Sequence, residues 1–341
     1  MKSPIRVLAI DGGGVGGIIP ARILERLYAI DPRVIDNADL VAGTSTGGLI
    51  ALGLARGLSP AELCDVYQNH AREIFSSTCR RFLVERAFRA KFAPDGLRAA
   101  VNAIVGDLTL GDLKSKPVLV PVTALRRADK SHRPAGVFLS TAFRLIGDPA
   151  KEKLGSSRWK CVDVALATAA APTYFPAHEV SDPVHGAAEK WLCWDGGIVA
   201  NNPGLAAVGE VFRLELAERK AAVRAHQGDS PDIRLLSLGT GYRDIEIDAG
   251  DWGPVQAARP VIRALMDTSV GSTSFLLRQL LGERAVRISI NLEQDYEMDD
   301  PSAIDRLNAS AIQFVETKIG AVPQPDHVPV NVIEWLQKNW Y

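Results

Sequence analysis

Cysteine is scarce and scattered in this 341-residue chain. Cys64, Cys79, Cys161 and Cys193 form no CxxC pair, which argues against a zinc site or a disulfide framework and predicts reduced, mostly buried thiols. No excess of one charge is present either. The 39 basic and 40 acidic side chains leave a formal charge of −1, so no global field draws the chain to nucleic acid or to an anionic membrane, and any attraction to lipid has to come from a local patch. Long apolar runs are absent as well. No stretch approaches the roughly 18 residues of a membrane span. The first apolar run, Ile5–Ile10, is too short for a signal peptide and ends in an aspartate and glycines. The expected location is the cytoplasm, with a position peripheral to a membrane as the other site the composition allows. With 47% hydrophobic residues, the chain has ample material for a sizeable core.

Strand and helix signals alternate. Ile5–Ile10, Leu40–Ala42, Pro117–Leu125, Val137–Ser140, Trp191–Trp194 and Ile233–Leu238 read as short buried strands. Apolar residues at helical spacing predict helices over Ile18–Ile30, Leu49–Ala55, Pro60–Glu73, Leu97–Ile104, Val162–Ala170, Leu205–Ala225 and Ile304–Ile319. Such alternation implies an α/β class with a mostly parallel sheet covered on both faces. Asp129–Pro134 and Gly147–Ser157 read as polar surface loops. No composition shift marks a clean domain boundary, so one elaborated domain is expected.

Three glycine-bearing turns carry the chemistry. Gly43-Thr44-Ser45-Thr46-Gly47 fits G-x-S-x-G between a strand and a helix, the setting of a nucleophile elbow. An ordinary glycine-rich turn is the other reading of that pentapeptide. Asp11-Gly12-Gly13-Gly14-Val15-Gly16-Gly17 follows the first strand and opens the first helix. Its amides can approach a ligand closely, as an oxyanion site requires. The same loop matches the dinucleotide spacing at Gly12, Gly14 and Gly17, but the candidate acid Asp39 precedes the second strand instead of ending it. It has no lysine for a Walker loop, and a sugar-kinase-like DGGG remains open. Trp194-Asp195-Gly196-Gly197 ends a hydrophobic run, where an aspartate can reach a neighbouring strand end. A Ser-His-Asp order would need His226 or His327, and both stand in polar or proline-rich loops.

Together these blocks resemble the patatin-like phospholipases over roughly residues 5–310. ATAAAPTYFP at Ala167–Pro176, ANNP at Ala200–Pro203 and LSLGTG at Leu236–Gly241 sharpen the likeness. The resemblance implies a three-layer α/β/α sandwich over residues 1–310, with residues 311–341 as a helical extension packed on it. It implies Ser45 as nucleophile, Asp195 as its only side-chain partner, both at the sheet's carboxyl ends, and an oxyanion hole at Gly13, Gly14 and Val15. Gly12, Gly43, Gly47, Gly196 and Gly197 would support these turns. The implied reaction is calcium-independent hydrolysis of fatty-acyl esters through an acyl-enzyme, with no metal and no cofactor. Gly16 stands where the family usually carries Arg or Lys, which favours neutral esters. Two alternatives stand beside this reading. One is a phospholipase effector that a cyclic nucleotide, as small-molecule activator, switches on to degrade membranes in bacterial defence. The other is a non-catalytic storage or dinucleotide-binding protein. The basic, aromatic stretch Arg72–Phe92 reads as an amphipathic cap helix or as a contact with an anionic lipid surface. Phe275–Leu281 reads as a core helix, with the lining of an acyl pocket as its other reading.

Overall fold

The computed structural model describes residues 3–75, 90–126, 158–182, 186–221, 231–242, 254–294 and 296–341. The expected strand Val137–Ser140, the expected loops Asp129–Pro134 and Gly147–Ser157, and His226 lie outside them. The main sheet has five parallel strands in the order β3-β2-β1-β7-β8. These are β1 Ile5–Ile10, β2 Leu40–Gly43, β3 Val118–Leu119, β7 Ile233–Leu238 and β8 Ala285–Ile288. Successive side chains of a strand point to opposite faces, and β1 divides accordingly. Leu8 and Ile10 join the larger core. Val7 and Ala9 join a smaller one with Ala207, Val208, Val211, Leu277 and Leu281.

Helices cover both faces. Toward the larger core lie α1 Ile18–Ile30, α3 Thr46–Arg56, α4 Pro60–Ile74 and α5 Pro94–Val105; the short α2 spans Arg33–Asp36. Ser59 and Glu62 start α4 with a reciprocal capping box, which satisfies two amides that would otherwise be orphaned. Toward the smaller core lie α8 Gly204–Ala221 and α9 Pro254–Leu281. Register places the carboxyl ends of β1, β2 and β7 side by side, with Ile10 opposite both Gly43 and Leu238. The glycine loop, the GTSTG turn and the LGTG turn therefore leave the sheet at one edge.

A second, antiparallel sheet of three strands runs β4-β6-β5, with β4 Val122–Arg126, β5 His178–Asp182 and β6 Gly186–Asp195. The stretch read as one strand, Pro117–Leu125, is two. Its interruption falls at Val120–Pro121, where proline has no amide to give to a ladder. This bend carries the chain from the parallel sheet into the antiparallel one. Asp195 therefore ends β6, opposite Val122, and not a strand of the main sheet, as the resemblance implied. Two of the short helices, α6 Cys161–Thr168 and α7 Gly197–Ala200, flank this junction.

The C-terminal region is continuous with the core. Helix α10 Ile304–Thr317 runs straight through position 310. Helix α11 Val332–Asn339 delivers a fully buried Trp340. The Trp340 indole donates to the Val34 carbonyl at 3.0 Å, and its own carbonyl accepts from Arg6 Nε and Asn37 Nδ2 at 2.7 and 2.9 Å. No helix among the described residues is long and apolar enough to cross a membrane.

Candidate active site

Ser45 stands at the end of β2 as the N-cap of α3, with φ 51° and ψ −121°. A non-glycine residue at positive φ is strained, by about 1–3 kcal/mol, and is held there by its surroundings. Two glycines make the turn possible for steric reasons. A Cβ on Gly43 would lie 2.0 Å from the Gly47 carbonyl oxygen, and one on Gly47 would lie 2.3 Å from that of Ile10. Thr168 clamps the turn from α6, its Oγ1 accepting from the Ser45 amide at 3.0 Å and donating to the Pro121 carbonyl at 2.7 Å. Thr44 Oγ1 donates to the Ala200 carbonyl at 2.6 Å, tying the elbow to the segment after Asp195.

Asp195 is buried, and its Oδ1 accepts from the Gly197 amide at 2.6 Å. Burial pushes its pKa from 3.8 up to about 7, against the opposing pull of the Gly197 amide and of the nearby Ser45 hydroxyl. Oδ2 makes no hydrogen bond of normal geometry. Serine and carboxylate thus face each other closely enough to interact electrostatically while the bond between them is unmade. Such contacts are often long without substrate and tighten in the complex. Both side chains line one pocket, with an empty volume of about 650 Å³, mouth included. Its wall is apolar, built from Tyr67, Ile74, Phe75, Leu97, Tyr174 and Phe175.

The glycine loop borders the pair. Gly12 comes so close that a Cβ there would lie 2.4 Å from Asn201 Oδ1 and 3.2 Å from Ser45 Cβ. The Gly13 and Gly14 amides take no hydrogen-bond acceptor among the described residues. Val15 differs from expectation. Its amide donates to the Met298 carbonyl at 2.9 Å, because Gly14, at φ 57°, turns the loop onto the 298 segment. Asp11 is held beneath the loop by Arg287 at 2.6 Å. Burial pushes the Asp11 carboxyl up and the guanidinium pulls it back. Thr240 Oγ1 donates to the Gly12 carbonyl at 2.9 Å. Asp39 accepts from the Arg6 amide at 2.8 Å, at the amino-terminal side of the sheet and away from the glycine loop, so it does not occupy the ribose-binding place that a dinucleotide site needs.

Among the described residues, no histidine lines the pocket. His327 is exposed in a turn with φ 62°, and His178 pairs with Asp163 at 3.2 Å. Of the Arg72–Phe92 stretch, residues 76–89 lie outside the described ones. Of the described parts, Arg72 and Glu73 are exposed while Ile74, Phe75 and Phe92 pack inward. Phe75, Phe92 and Phe175 form an aromatic cluster with centroids 5.5–6.2 Å apart, and Lys91 pairs with Asp299. Phe275–Leu281 packs on the smaller core through Leu277 and Leu281 and leaves Phe275, Leu276 and Leu280 exposed. None of them lines the Ser45 pocket, so the core-helix reading of that stretch is the one the packing supports. Sequence reasoning singled out the blocks holding Thr168, Asn201 and Thr240 without assigning those residues a task. Arg287 and Tyr296 stood in no motif.

A serine on a strained elbow, a buried carboxyl titrating near neutrality and unengaged glycine amides can together carry acyl transfer. Comparison with known proteins agrees in kind. A profile described as patatin-like phospholipase matches residues 8–208. The chain belongs to the patatin-like phospholipase family. A cGAMP-activated phospholipase of Vibrio cholerae is 30% identical to this patatin-like chain, over 91% of it and 87% of the relative. A protein of the same name from Pseudomonas aeruginosa is 32% identical, over 92% and 86%. Patatin-like protein 2 of Arabidopsis thaliana is 28% identical, over 88% and 78%. Among solved structures, VipD from Legionella pneumophila is similar at a TM-score of 0.37 and 13% identity, over 93% of this chain and 67% of its own, too distant a likeness to bear on the site.

Proposed function

We propose that the protein is a lipid acyl hydrolase that cleaves fatty-acyl esters with Ser45 as nucleophile and Asp195 as its base. The observation that carries this reading is the buried Asp195 carboxyl, raised to about 7, beside a serine on a strained elbow. A carboxylate with its ordinary pKa near 3.9 is a weak base at neutral pH, whereas one near 7 is matched to the task. Ser45 Oγ attacks the ester carbonyl carbon while Asp195 takes its proton. The Gly13 and Gly14 amides stabilise the oxyanion, each donor worth about 3–4 kcal/mol. The C–O bond to the alcohol breaks, and the alcohol leaves with the proton from Asp195. Water then attacks the acyl-enzyme with Asp195 again as base, releasing the fatty acid and free Ser45. The apolar pocket suits the acyl chain. The membrane surface is reached peripherally, a role supported by the arginines of Arg72–Phe92, Arg72, Arg80, Arg81, Arg86 and Arg89.

The test is hydrolysis of short- and long-chain p-nitrophenyl esters and a phospholipid without calcium. Ser45→Ala and Asp195→Asn are expected to lose about 10³-fold or more in kcat/KM, and His327→Ala to keep it. Wild-type kcat/KM should rise with pH through about 7 as Asp195 ionises. A Ser45→Ala protein as active as wild type overturns the proposal. A second reading adds an activator. Two bacterial relatives that align over nine-tenths of this chain are named cGAMP-activated phospholipases. Turnover measured with and without that dinucleotide separates a regulated enzyme from a constitutive one.

A further inference from the structure

A second cavity lies across the glycine loop from the apolar pocket. Its empty volume is about 820 Å³, mouth included, and its lining is the more polar of the two, setting Asp11, Asn201, Thr240, Arg263, Asp267 and Arg287 among apolar side chains such as Val270 and Leu292. The loop divides the two spaces. Gly12 and Gly13 border the polar one, Gly14 and Val15 the apolar one, and Met266 and Met298 line both. We propose that this polar cavity seats the alcohol half of the ester and selects headgroups of zero net charge, disfavouring anionic ones. The inference rests on the acyl-ester reading above.

Two observations support it. An ester has two arms on one carbonyl, and here an apolar and a polar space meet on either side of the loop that borders Ser45. Lined this way, the site matches an amphiphile cut at its junction. Second, among the described residues of the lining, Arg287 holds Asp11 at 2.6 Å and Arg263 lies 3.9 Å from Asp267, so each arginine's charge is already met by a carboxylate. Position 16 adds no cation. A Cβ there would lie 2.1 Å from the Tyr296 hydroxyl, which already fills that space and donates to the Thr240 carbonyl at 3.0 Å.

The experiment compares wild type, Asp267→Asn and Arg263→Gln on phosphatidylcholine, phosphatidylglycerol and monoacylglycerol in one uncharged detergent, each rate divided by that on a p-nitrophenyl ester. Wild type should prefer the two lipids of zero net charge. Asp267→Asn should raise the anionic-to-neutral ratio, and Arg263→Gln should lower it, each roughly two- to five-fold for half-exposed charges. A purely structural role for the two residues would not move the ratio in opposite directions. Unchanged ratios in both variants overturn the subsite while leaving the Ser45 chemistry standing. If wild type fails on the p-nitrophenyl ester itself, that failure strikes the acyl-hydrolase reading. The subsite is then judged by calorimetric titration with glycerophosphocholine and with glycerol 3-phosphate. A preference for the former that Asp267→Asn weakens supports it, and equal binding by both proteins overturns it.

Discussion

A carboxylate in the protein interior destabilises the fold whenever it is ionised, and Asp195 is such a group. Its folded pKa, about 7, lies above the ordinary 3.8. Between those values the native state binds more protons than the unfolded one, so stability is greatest below about pH 4 for this group and declines as pH rises toward 7. The full shift corresponds to something on the order of 4 kcal/mol. Asparagine keeps the acceptor for the Gly197 amide but cannot ionise. Asp195→Asn is therefore expected to melt several degrees above wild type at pH 8 and close to it at pH 4.5, while losing activity. Thermal scans at the two pH values check this, and equal melting points at pH 8 would remove the burial argument. The GTSTG and DGG turns made both residues visible as candidates. The pKa depends on what surrounds them, which residue spacing does not encode.

At the scale of elements, the glycine loop works because neighbours are packed against its bare backbone. Gly16 is the sharpest case, with the Tyr296 hydroxyl 2.1 Å and the Thr240 carbonyl 2.9 Å from where a Cβ would stand. Gly16→Ala is expected to cost about 1–3 kcal/mol by overpacking. Part of that cost should vanish in a Tyr296→Phe background, which removes the clashing oxygen. Urea melts of the two single variants and the double one measure the coupling, and strict additivity would place the clash elsewhere. Most elements were legible. β1, β7 and α1 match their predicted limits, because their apolar periodicity is clean. β5 and β8 were not read. His178–Asp182 is a polar strand that pairs, among the described residues, with β6 alone, and β8 is four residues long. The split of β3 from β4 was missed because proline tells where a ladder breaks but not where the chain goes next.

Across the whole molecule, the last ten residues close the structure. Trp340 is fully buried beside Trp335 and donates to Val34, and Trp335 Nε1 donates to the Glu283 carbonyl at 2.7 Å. Arg6, at the start of the central strand, holds the Trp340 carbonyl. Trp340→Ala should lower stability by about 3–5 kcal/mol, the range for large aromatic truncations in a core. A denaturant titration reads this directly. A loss below 1 kcal/mol would make the C-terminal helix an appendage after all.

The sequence by itself determined the α/β alternation, the three glycine turns and the serine and aspartate standing in them, since each is a local pattern of apolar spacing and permitted backbone angles. Tertiary structure decided what those turns meet. It put Asp195 on a separate antiparallel sheet that bends in beside Ser45, withdrew the Val15 amide to Met298 and filled the space at Gly16 with a tyrosine 280 residues away along the chain. It also set a polar cavity opposite an apolar one. Burial, which sets a pKa, and contact between distant segments, which sets a cavity, are properties of the packed chain and not of any stretch of it.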